Sequence, residues 1–233
     1  VVEITRGGRD ARELRIETGD LRGNDALRIV YPADRVVYPE LGRWNNTSIN
    51  VRRDGTWGNS FDRGYRLRDD GERVEIRGSG SGLEAYADLR IIIPRGKSVV
   101  IHQAVGDTRV ANVDADLAID VASSTVTTEH TRGSLSLDTG SGSVNISDAQ
   151  GDLVLDTGSG GVTVTGMRGS SLKIDTGSGS IRGSDIDVDD LKADVGSGGV
   201  RLSRVRASRI DVDAGSGGTE LELLSNIDQL TVD

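Results

Sequence analysis

The chain has 233 residues, 28 basic and 37 acidic, a net charge of −9, 32 glycines and no cysteine. Without cysteine there is no disulfide scaffold, no Cys-ligated metal centre and no thiol nucleophile. No apolar run approaches the ~18 residues of a membrane span, and an acidic chain is a poor generic binder of nucleic acid.

The charge is divided unevenly: residues 1–106 carry a net +2 and residues 107–233 a net −11. Every aromatic side chain lies at or before position 86, so the two halves are built differently. In chain order, Glu13–Glu17 and Leu27–Val30 alternate apolar and polar residues and predict short strands, with Thr18-Gly19-Asp20 as the turn. Residues 38–71 break this pattern and bring together Arg43, Trp44, Arg52, Arg53, Trp57, Phe61, Arg63, Tyr65 and Arg66. Two readings fit this insertion, and they are compatible. It caps the end of the repeat that follows, as solenoids require, or it forms a partner-binding surface, since Trp, Tyr and Arg are enriched at binding hot spots. Alternation resumes at Val74–Ile76, ahead of Gly78–Gly82. The expected division is an N-terminal β region over 1–74 and a repeat domain over 75–233.

The repeat is explicit. Gly-Ser-Gly recurs at 140–142, 158–160, 177–179, 196–198 and 215–217, at spacings of 18, 19, 19 and 19. Two residues before each stands an aspartate: Asp138, Asp156, Asp175, Asp194 and Asp213. The phase extends outward to Asp120 and Asp233, without the glycines. Apolar alternation precedes each Asp (Leu135/Leu137, Leu153/Leu155, Leu172/Ile174) and follows the glycines (Val144/Ile146, Val162/Val164, Val200/Leu202). A third apolar position follows further on, at Ala149, Met167, Ile186, Val205 and Ile227. Period-two alternation predicts half-buried strands. A unit of about 19 residues cannot bury its apolar side chains alone and must stack on its copies. The predicted fold is therefore all-β: a single-chain stacked β-solenoid with an N-terminal strand region and an aromatic insertion. The repeat residues Asp138, Gly140, Gly142, Asp156, Gly158, Gly160, Asp175, Gly177, Gly179, Asp194, Gly196, Gly198, Asp213, Gly215 and Gly217 are expected at turns, each Asp capping its own turn through backbone N–H groups.

The L-x-L-D-T-G-S-G-x-V-x-V units, with the preceding Ala87–Gly96 segment, resemble the bacterial adhesin-like β-strand-repeat family, the toast-rack domains. The resemblance covers about residues 75–233. It implies a right-handed solenoid and an extracytoplasmic, periplasmic location after removal of a leader. It also implies work beside bacterial envelope proteins, and it carries no catalytic residues.

Little chemistry rises above this background. The Asp row invites a calcium reading, but the calcium-binding β-rolls need G-G-x-G-x-D turns, with Asp after the glycines. Asp185, Asp187, Asp189 and Asp190 form a second acidic run, read as a solvated corner. His102 falls in the Asp phase and His130 precedes a polar turn; two histidines give no metal spacing. Gly80–Ala85 matches G-x-G-x-x-A but opens a strand, so no helix N-terminus is available for a phosphate. No residue pattern in the sequence points to a metal or a cofactor. The expectation is a non-catalytic scaffold or interaction protein of the cell envelope, docked on a membrane protein complex. Self-association through the open last coil is a further contact. The alternatives are an envelope glycan-binding protein, hydrolytic or not, and an adhesin.

Overall fold

A computed structural model describes residues 1–21, 23–52, 56–57 and 71–233. The chain divides into two compact units, Val1–Ile92 and Ile93–Asp233.

Among the described residues, the first unit holds eight strands. β1 (Val2–Gly7), β2 (Arg15–Leu21), β3 (Asn24–Val30) and β4 (Arg35–Val37) come before the 38–71 insertion, and β5 (Asn46–Val51) lies within it. β6 (Glu72–Arg77), β7 (Leu83–Glu84) and β8 (Tyr86–Ile91) follow it. β1 pairs with β8 antiparallel, β2 with β3, and the rest form a sheet in the order β5-β6-β4-β7. Leu14, Leu83 and Ala85 make a small core with Ile29, Tyr31, Ala33 and Ala87 against it. Two expectations change here. The β2–β3 hairpin does not turn at Thr18–Asp20 but between Leu21 and Asn24, which are paired in register. Gly23 takes the positive φ (84°) that such a tight turn needs, and its N–H donates to Asp20 Oδ1 at 3.0 Å. Val74–Ile76 and the glycines after it belong to the first unit, because β6 and β7 both pair with β4. The division therefore falls at Ile92/Ile93 rather than at 74/75.

The second unit is the solenoid, of about seven turns. Its strands are β9 (Ser98–Val105), β10 (Thr108–Asp114), β11 (Asp116–Ser123), β12 (Val126–Arg132), β13 (Leu135–Ser141), β14 (Val144–Gln150), β15 (Leu153–Ser159), β16 (Val162–Ser178), β17 (Ile181–Ser197), β18 (Val200–Arg206), β19 (Arg209–Ala214), β20 (Thr219–Leu223) and β21 (Gln229–Val232). They stack into two columns of parallel strands. One holds β9, β11, β13, β15, the second halves of β16 and β17, β19 and β21. The other holds β10, β12, β14, the first halves of β16 and β17, β18 and β20. Equivalent repeat residues face each other coil on coil: Leu135 pairs with Leu153, and Leu153 with Leu172. Burying one side chain per coil at each inward position makes a continuous core that includes Ile119, Leu155, Met167, Ile181 and Ile210.

Two features refine the repeat. Asn112, His130, Asp148, Asp185 and Arg204 all take φ between 52° and 56°, and Gly166 takes 71° at the same place in its coil. One left-handed residue bends the second-column strand and shifts its alternation by one. Burial therefore falls on Val144 and Ile146 and then on Ala149, just past Asp148. This explains the third apolar position of the repeat. The second feature is a row of inward residues after each Asp: Val121, Thr139, Thr157, Thr176 and Val195, in register and buried. Where the repeat weakens at Gly183, the vacated volume is taken by Leu202 and Ile186, whose methyls would lie 2.6 and 2.7 Å from a Cβ there.

Candidate functional site

Three surface features carry chemistry, each fixed by local structure. The first is the aspartate row. Asp120, Asp138, Asp156, Asp175, Asp194 and Asp213 stand in register on successive coils, with His102 at the head of the row. They lie within strands rather than at turns, and among the described residues none accepts a backbone N–H. The turn-capping expectation is therefore corrected: period two places the residue between inward Leu137 and inward Thr139 on the outer face. The backbone N–H groups of Ser134 and Ser171 are instead bound by Asp116 and Asp152, one coil away.

The glycines of the motif also divide by role. Gly142, Gly160, Gly179 and Gly198 take positive φ at the turn. Gly140, Gly158, Gly177, Gly196 and Gly215 carry no such φ and are small for another reason. A Cβ on any of them would come within 2.6–2.7 Å of a backbone carbonyl oxygen of the coil before.

Strand pairing spaces the backbones that carry the row about 4.8 Å apart, and the repulsion between its carboxylates adds to burial in shifting their acidity. Burial, then the charges of Asp120 and Asp156, push Asp138 up to about 6. Burial, then Asp156 and Asp194, also raise Asp175, while Lys173 and Lys192 beside it oppose the shift. At the head of the row, His102 Nδ1 lies 3.5 Å from Oδ2 of buried Asp120. Among the described residues, no group of three or more His, Cys, Asp or Glu side chains is arranged to hold a metal ion.

The second feature is a loop tip in the first unit. Trp44 is 87% exposed, and the Arg43 guanidinium lies over its ring at 5.2 Å from the centroid. The backbone beneath is held from several sides. Asn45 N donates to Gly42 O at 2.9 Å and Asn45 Nδ2 to Leu41 O at 2.8 Å. Gly78 N donates to Asn45 O at 3.0 Å, and Ser79 Oγ to Arg43 O at 2.7 Å. The aromatic–arginine surface read from the sequence is only partly of this kind. Trp57 is buried and is no contact residue on the outside. Arg52 is half-buried, and its N–H groups reach Thr56. Arg53, Phe61, Arg63, Tyr65 and Arg66 lie outside the described residues.

The third feature, which sequence reasoning missed, is a shallow groove of about 370 Å³ across three coils, at the turns leading into β17, β18 and β20. Ser180, Gly199 and Gly218 occupy equivalent turn positions along its floor, and Arg182, Arg201 and Glu220 stand in register beside them. The only sequence signal was the replacement of side chains by glycine at two of the three turn positions.

The acidic run 185–190 is broken up by geometry. Asp185 receives a bidentate pair from Arg204 (2.7 and 2.6 Å), and Asp190 pairs with Arg209. His130 sits exposed at its left-handed corner, 3.3 Å from Asp148. At the last coil, β20 and β21 are each paired on one side among the described residues, and Leu224, Leu230 and Val232 are 46–50% exposed. Glu220, Glu222, Asp228 and Asp233 rim this coil, so a second copy set against it would bring like charges together.

The family model for the Toastrack domain, DUF4097, matches residues 89–232. The chain belongs to the Toastrack family. No curated protein and no solved structure matches it. The match begins within β8, so this toastrack domain takes in the whole solenoid and leaves the loop that carries Trp44 outside it.

Proposed function

We propose that this toastrack chain is a non-catalytic interaction module of the bacterial cell envelope, an accessory structural subunit docked on the periplasmic face of a membrane protein complex. The observation that carries the reading is Trp44. Its indole is 87% exposed and is held on a braced loop with a guanidinium over its face. Large aromatics that lose little conformational freedom on burial are the usual anchors of protein interfaces. The solenoid suits the same role, because coils locked in register give a rigid spacer of repeating surface.

The test is a photo-crosslinking amino acid at position 44, with affinity purification of the full chain from solubilised envelopes. The reading expects a crosslink to a stoichiometric membrane-complex subunit, and loss of co-purification in Trp44→Ala with an unchanged melting curve. Equal recovery of the complex by Trp44→Ala refutes it.

A further inference from the structure

We propose that the groove at the turns into β17, β18 and β20 is a binding site for a carboxylate-bearing saccharide of the uronic-acid class. The proposal is independent of Trp44 and of any protein partner.

Charge placement is the first ground. Elsewhere on this unit, arginines face carboxylates one coil away: Arg204 faces Asp185, Arg209 faces Asp190 and Arg109 faces Glu129. At the groove the pattern reverses, and Arg182 stands directly in register with Arg201. Like charges opposite each other on neighbouring strands are unfavourable. Glu220 relieves only one of them, accepting from Arg201 Nε at 2.7 Å. Arg182 has no ion pair among the described residues. A carboxylate placed between the two guanidinia supplies the missing charge, and planar guanidinium groups match it in a bidentate fashion.

The lining is the second ground. Ile181 and Val200 are buried and turned into the core, so they contribute only backbone to the groove. No apolar side chain is therefore offered to a peptide. Beside the two arginines, the outward side chains of the lining are the hydroxyl of Ser180 and the carboxylate of Glu220, which suit a polyol. Room comes from glycine: a Cβ at Gly218 would meet nothing within 4 Å, so the floor is open there. The volume lies at the small end of ligand sites.

The experiment is calorimetric titration of the full chain with three probes: an oligogalacturonate, its methyl ester and inorganic phosphate. The variants are Arg182→Ala, Gly218→Leu, which fills the floor, and Arg206→Ala as an exposed control outside the groove. Melting curves verify the fold of each variant. The expected result is saturable binding of the oligogalacturonate and none of its ester. Affinity falls about tenfold or more in Arg182→Ala, as the loss of a charge-assisted hydrogen bond requires. It falls similarly in Gly218→Leu and is unchanged in Arg206→Ala. Absence of binding, or equal binding by Arg182→Ala, overturns the site. Phosphate binding as tight as the oligogalacturonate overturns the saccharide class and leaves a simple oxyanion site.

Discussion

Replacing Asp138 by asparagine should stabilise the protein at neutral pH, although an acidic side chain on an outer face would ordinarily be neutral to such a change. Asp138 stands between Asp120 and Asp156 in the row. Burial and those two charges raise its pKa from 3.8 to about 6. Each pH unit of such a shift corresponds to about 1.4 kcal/mol, so the gross penalty on the charged form is about 3 kcal/mol. The side chain is only about half-buried, and solvent screening reduces the figure to about 1–2 kcal/mol. The sign follows from proton linkage. The folded form binds the proton more tightly than the unfolded form, so stability is gained as pH falls from above about 6 to below about 4. The penalty is fully present above that window. Asp138→Asn, which keeps the shape and removes the charge, should therefore be more stable than the parent by about 1–2 kcal/mol at about pH 7.5. The gap should shrink as pH falls through this window and close only below about pH 3, where the parent carboxyl is protonated in both states. Urea denaturation of both proteins across this range measures the gap directly. A gap that is absent at neutral pH, or that persists unchanged in acid, would refute the reasoning. So would a carboxyl titration with an ordinary midpoint near 3.8.

Two further substitutions probe the coil itself. Thr157 is buried and its hydroxyl has no hydrogen-bond partner among the described residues, while Val121 and Val195 fill the same row in other coils. Thr157→Val should therefore stabilise by about 1 kcal/mol in denaturant titration; a loss of stability would mean the hydroxyl is satisfied. Gly160→Ala places a methyl against the Gly142 carbonyl at a φ of 142°, whereas a Cβ on neighbouring Gly161 meets nothing closer than 3.8 Å. The first should cost more than about 3 kcal/mol and the second less than about 1, and equal melting temperatures would contradict the close coil approach.

The solenoid was legible because its chemistry is periodic. Leu135, Leu153 and Leu172 recur at the same phase, and a parallel stack brings equal phases into contact, so sequence spacing became spatial register. The candidate sites were less legible. Trp44 and Trp57 belong to the same insertion and look alike in sequence, yet one is exposed and the other buried. Nothing in local propensity separates them, because burial of an indole depends on what packs over it.

The sequence by itself determined an all-β repeat, its unit length, its core positions and the Toastrack membership, since all of these follow from residue type at fixed intervals. Tertiary structure decided the rest. The left-handed corner at Asp148 and its equivalents explains why the third core position falls out of step. Stacking turned six separated aspartates into one repelling row, and it set Arg182 against Arg201 above a glycine floor although 19 residues separate them along the chain. Charge interactions depend on distance in space, and only the closed coil makes those distances short.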